Sequence, residues 1–182
     1  MGGRPPDPEK RERILTAAIE LFLEYGYYGT TTAAIARRAG MSSSHKYIYF
    51  KNKEHLLFEA VLRMEREHIA LSTGLVKKCI GLDDESFIER FYEAQATIRH
   101  RVRFIITVVL TPNHNHLFDD IDFDYSEVFI HFLKDWPEEL AAQTARALMA
   151  ISLDYFLLED IESAKAASLS VLHNARAAKD IQ

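Results

Sequence analysis

Residues 32–50 read TAAIARRAGMSSSHKYIYF, and the spacing of small residues within them decides the fold. Ala36 and Gly40 stand four positions apart, with Met41 directly after the glycine. A small side chain lets one helix approach another, and a glycine takes the turn conformation that other residues resist. The stretch therefore predicts a short helix, a tight turn and a second helix capped by Ser42. A unit of this kind suits laying its second helix into the major groove of DNA.

Outward from this stretch, helical periodicity continues in both directions. Toward the N-terminus, Asp7-Pro8-Glu9 is a helix start: Asp caps, Pro tolerates the first turn, and Glu complements the dipole. Ile14, Ala18, Leu21, Phe22 and Tyr25 share one face, and Gly26 is the expected stop. Thr31 or Thr32 caps the next, short helix. Toward the C-terminus, Asn52 caps a long helix with a stripe of Leu56, Leu57, Ala60, Val61 and Met64. Asp83 is the next cap, with Leu82 and Phe87 placed as a hydrophobic staple. Residues 104–110 are β-branched and apolar; flanked by helices and lacking a partner strand, they are expected to form a buried helix. Residues 111–124 form a loop, 125–136 a short helix, and Pro137 opens a long one. A last helix covers about residues 162–179. The expected fold is all-α: a three-helix N-terminal headpiece, residues 1–53, joined by a long helix to a helical domain, residues 54–182.

The chain has 182 residues, 48% of them hydrophobic and 27% charged, which is ordinary for a soluble globular protein. Its N-terminal segment is polar and offers no signal-peptide core, and no apolar run is long enough to span a membrane. The single cysteine, Cys79, is expected to be a small buried residue in a reducing, cytoplasmic setting. The formal net charge of −5 argues against nucleic acid until its distribution is considered. Residues 1–53 hold nine Lys/Arg against five Asp/Glu, a balance of +4, which leaves −9 for the rest. A basic front and an acidic rear suit a chain whose front alone meets phosphate.

Across residues 10–62, the order RERILTAAIELFLEYGYYGTTTAAIARRAG, then MS, then Tyr47, Tyr49-Phe50 and KNKEHLL resembles the TetR family of bacterial transcriptional regulators. Beyond residue 65 only length and helical character fit. The resemblance implies a DNA-binding headpiece, a rear helical domain for a small-molecule effector, and a homodimer formed through the last two helices. Carried over position by position, it implies phosphate contact at Thr31 or Thr32 and a recognition segment of Ser42, Ser43, Ser44, His45, Lys46 and Tyr47 along the major groove. Lys51 and Lys53 would hold phosphates at the next helix start. Hydroxyls, ammonium groups and helix N-termini are the usual phosphate holders, and they set register rather than sequence preference. The chain departs from the family at Ser44, where a glycine or small residue is usual, and at His45. It departs most at Lys46, where a leucine-like residue normally packs into the headpiece. The Lys46 stem is expected along the apolar surface with its charge carried to solvent or phosphate.

The rear domain is rich in aromatic residues, whose first role in a helical protein is ordinary core. If an effector cavity exists, Phe91, Phe104, Phe129 and Tyr155 are candidates to line it, with Arg99, His100, Arg103 and His131 to meet a polar group. The loop residues His114, His116, Asp119, Asp120, Asp122 and Asp124 have the chemistry of a metal site but no closed-site spacing, so no metal and no other cofactor is expected. No nucleophile–base–orienter pattern emerges, so catalysis is not expected either. The favoured expectation is a ligand-responsive regulator, most simply a repressor released from a near-palindromic operator. The alternative is a helical small-molecule binding or interaction protein with a vestigial headpiece.

Overall fold

The computed structural model describes residues 7–42, 49–123 and 125–180. Among these residues the chain is helical and carries no strand. The helices are α1 (Pro8–Gly29), α2 (Thr32–Arg38), α3 (Lys53–Lys78), α4 (Asp84–Leu110), α5 (Ser126–Ile130), α6 (Glu138–Leu158) and α7 (Ile161–Lys179), with a 3-10 turn at Asn115–Phe118. They group into two compact units, residues 1–65 with 108–119 and residues 66–107 with 120–182.

In the first unit, the Asp7 carboxylate accepts the Glu9 amide at 3.0 Å, and Pro8 opens α1. Ile14, Leu15, Ala18, Leu21 and Phe22 are buried along it. The helical geometry breaks at Gly26, whose φ of 70° and ψ of 174° lie outside the range open to most side chains. Thr30 then tucks its hydroxyl inward, 2.9 Å from the Leu21 carbonyl and 2.8 Å from that of Gly26. The one hydroxyl hydrogen is thus shared between two carbonyls that flank the break. Thr31 caps α2 by accepting the Ala34 amide at 3.1 Å. Phe50, on the far side of residues 43–48, is buried and lies beneath the Arg11 guanidinium. Asn52 caps α3 by accepting the His55 amide at 2.7 Å.

In the second unit, the Asp83 side chain accepts the Ser86 amide at 2.8 Å and opens α4. That helix runs without a break to Leu110. Residues 104–110 are thus helical as their flanks imply, but only Ile105 and Val108 of them are buried, and Leu110 is 68% exposed. The core gathers Val76, Phe87, Phe91, Tyr92, Phe129, Leu133, Leu148 and Leu172. Phe87 stacks on Phe132 with centroids 3.8 Å apart, and the Tyr92 hydroxyl meets Ser168 at 3.0 Å. Arg176 grips the buried Asp84 with two guanidinium nitrogens. The helix expected over 125–136 is confined to Ser126–Ile130, and residues 131–135 form turns. Pro137 disfavours helical geometry in the residue before it, which stops the helix from closing on α6.

Candidate nucleic-acid interface and effector cleft

The turn that follows α2 is held from three directions. Gly40 has a φ of 68°, the left-handed conformation. The Met41 amide reaches back to the Ala36 carbonyl at 2.8 Å and the Gly40 amide to that of Arg37 at 3.0 Å. From α1, Arg13 donates a guanidinium N–H to the Ala39 carbonyl. Two of these bonds are the usual closure of a helix C-terminus; the third ties the turn to α1. These bonds fix the backbone from Ala36 to Met41, and Ser42 beyond them stands exposed. Ser43, Ser44, His45, Lys46 and Tyr47 lie outside the described residues.

The flanks of that segment are described. Thr31 is exposed at the start of α2 and Thr32 half-buried behind it. Arg37 is exposed, while Arg38 pairs with Glu20 at 2.9 Å and Glu24 at 3.5 Å on α1. Lys51 is exposed, and its amide donates to the His55 ring at 3.3 Å. Lys53 is half-buried with its ammonium 4.0 Å from the centre of the Tyr27 ring, and that burial lowers its pKa. Lys51 is thus exposed, whereas Lys53 rests its charge on an aromatic face. In the same unit His114 is buried against Tyr27, with ring centres 4.4 Å apart. Among the described residues no three His, Cys, Asp or Glu side chains are grouped to hold a metal ion.

The rear unit holds an apolar cleft with a free volume of about 20 Å³, lined on one side by Phe91, Phe129, Val102 and Phe156. Of the residues put forward for an effector, Phe91 and Phe129 line it. Tyr155 is buried beside Tyr92, and Phe104 is half-buried elsewhere on α4. Arg99 pairs with Glu159 at 2.7 Å, and Arg103 binds the same carboxylate. This pairing depresses the Glu159 pKa, chiefly through the bond from Arg99. His100 and His131 are exposed.

Sequence reasoning passed over the cleft's polar wall. The His68 Nε2 lies 3.2 Å from the Gln95 side-chain oxygen, and the Gln95 amide nitrogen donates to Ser72 at 2.9 Å. All three side chains are buried. Burial lowers the His68 pKa to about 4, so the ring is neutral at physiological pH. The signal was present: His68 and Ser72 continue, four residues at a time, the apolar stripe of Val61 and Met64. Polar residues on a buried stripe mark a place where the core needs hydrogen bonds.

Residues 14–60 match the family model described as bacterial regulatory proteins, tetR family. The HTH-type transcriptional regulator HbdR of Aromatoleum sp. (strain CIB) is 48% identical over 50 residues, 28% of this chain and 22% of that protein. The fatty acid metabolism regulator protein of Bacillus subtilis (strain 168) is 30% identical over 112 residues, 58% of this chain and 48% of that protein. The chain thus spans at most about half the length of these curated relatives. A crystal structure of a transcriptional regulator from Aquifex aeolicus VF5 superposes with a TM-score of 0.61 at 24% identity, covering 89% of this chain and 97% of that one; the likeness is one of fold. No described helix is long and apolar enough to cross a membrane.

Proposed function

We propose that this chain, which belongs to the TetR family of bacterial regulatory proteins, is a cytoplasmic DNA-binding repressor released from its operator by a small molecule. The observation that carries the proposal is the turn at Gly40, locked by Arg13, which follows the short helix α2 and leads to Ser42. Residues 1–53 are the DNA-binding domain. Ser42 to Tyr47 enter the major groove, and Thr31, Thr32, Lys51 and Lys53 hold phosphates on either side. Lys51, exposed beside the start of α3, is the best placed of the four.

Residues 54–182 bind the effector and a second copy of the chain. The effector seat is the apolar cleft around Phe91 and Phe129. The dimer forms through α6 and α7, where Ala150, Ala166, Ala167, Ala177 and Ala178 are exposed and allow close helix approach. Two headpieces then reach successive major grooves, about one helical turn (~34–36 Å) apart on a near-palindrome. The effector acts by binding more tightly to the conformer whose headpieces miss that spacing.

Lys51→Ala tests the phosphate assignment. Operator affinity should fall and the slope of log K against log salt should shrink by about one, uniformly across operator sequences. A variant that keeps the parent's affinity and slope removes Lys51 from the interface.

A further inference from the structure

The cleft in the rear unit carries more chemistry than an apolar hole requires. Gln95 presents its amide nitrogen to Ser72, so it turns its oxygen, which can only accept, toward His68. The hydrogen on the His68 ring therefore sits on Nε2, and Nδ1 is left as a bare acceptor. That atom is buried and has no hydrogen-bond partner. His68 itself is only 8% exposed and forms part of the cleft wall. A buried acceptor left unmatched is costly, and a partner that supplies a proton recovers that cost.

The rest of the wall narrows what the partner is. The Ser152 hydroxyl is already committed to the Leu148 carbonyl at 2.9 Å. The other described lining residues are mostly apolar or aromatic, and none is Asp, Glu, Lys or Arg. No lining residue offers an anionic group a cation or a cationic group a carboxylate; Arg101 acts on His68 only from behind the lining, and an anion would face a lone pair. Burial also holds His68 neutral, so the ring does not protonate to welcome an anion. The free volume of about 20 Å³ is room on the order of one water molecule, so an occupant must displace side chains. Met149, unbranched and adaptable, lines the cleft and can yield.

Resting on the reading of this cleft as the effector seat, we propose that it takes a neutral, mostly apolar molecule bearing one hydroxyl, whose O–H donates to Nδ1 of His68. The probes are benzyl alcohol, toluene and benzoate, which match in shape and differ in the group offered. At neutral pH benzyl alcohol should bind about tenfold more tightly than toluene, and benzoate more weakly than either. In His68→Phe the alcohol should lose its advantage over toluene. Long-range proton–nitrogen NMR on the parent protein should show the Nε2–H form of His68, a readout that needs no variant to fold.

Tightest binding by benzoate, a preference for alcohol that survives in His68→Phe, an Nδ1–H ring, or no binding by any of the three overturns the proposal. Benzyl alcohol bound at His68 with operator affinity unchanged leaves this cleft chemistry standing and overturns the regulatory role of the site.

Discussion

Gly40→Ala should destabilise the first unit by about 2–3 kcal/mol and drop operator affinity toward the non-specific level, about 10³-fold weaker. The backbone at Gly40 has a φ of 68°, where a Cβ presses against the next carbonyl oxygen. That Cβ would also lie 2.7 Å from a guanidinium nitrogen of Arg13. Arg13 is flexible enough to swing away, but it then abandons the Ala39 carbonyl and loses a charge-assisted hydrogen bond. Both costs fall on the turn that leads to Ser42, so specific binding suffers more than stability does. Thermal melts and operator titrations on the same preparation check the two effects together. A variant that melts and binds like the parent would show that the turn does not need its glycine.

Phe87→Ala should cost the second unit about 3–5 kcal/mol, read as a lower denaturation midpoint in urea. Phe87 is fully buried, stacks on Phe132 at 3.8 Å and packs beside Phe91 with centroids 6.0 Å apart. It lies on the first turn of α4, just past the Asp83 cap, so its loss opens the core where α4 begins. The surrounding rings are rigid and collapse poorly around the gap, which places the cost in the upper range for such truncations. A loss below about 1 kcal/mol would mean the core is fluid rather than packed.

Local chemistry made much of this fold readable in advance. The caps at Asp7, Thr31, Asn52 and Asp83 each act within a few residues of themselves and stand out as side chains flanking an apolar stripe. Gly26 and Gly40 announce their turns because only glycine enters those conformations without strain. The short helix ending at Ile130 was harder: its apolar pattern continues through Leu133 and Trp136, and the turns there are set by Pro137 and by tertiary contacts. Trp136 lies beneath both Arg176 and Lys179 of α7.

The candidate site was legible in unequal parts. The helix starts beside Thr31 and Lys51 follow from the cap signals at Thr31 and Asn52, whereas the phosphate contacts proposed for these residues come from the family resemblance. The partner of an arginine does not follow from spacing. Arg99 and Arg103 read as free polar groups until Glu159, 60 and 56 residues away, is found between them. His68 was hidden by the opposite bias. An imidazole on a helix reads as surface; its place on the stripe of Val61 and Met64 hints otherwise, and the packing of Gln95 and Ser72 around it shows that it faces inward. Lys53, matched by position to a phosphate holder, has its ammonium over the Tyr27 ring, a contact that needed the fold of α1 to appear.

The most direct test of DNA binding is selection by the intact protein from a pool of random duplexes, followed by titration of the selected sequence. The account predicts a near-palindrome with half-site centres about one helical turn or a multiple of it apart. It also predicts affinity that falls on the order of 10³-fold between about 50 and 200 mM salt. Failure to enrich any sequence at the lower salt, or binding indifferent to salt, would contradict it.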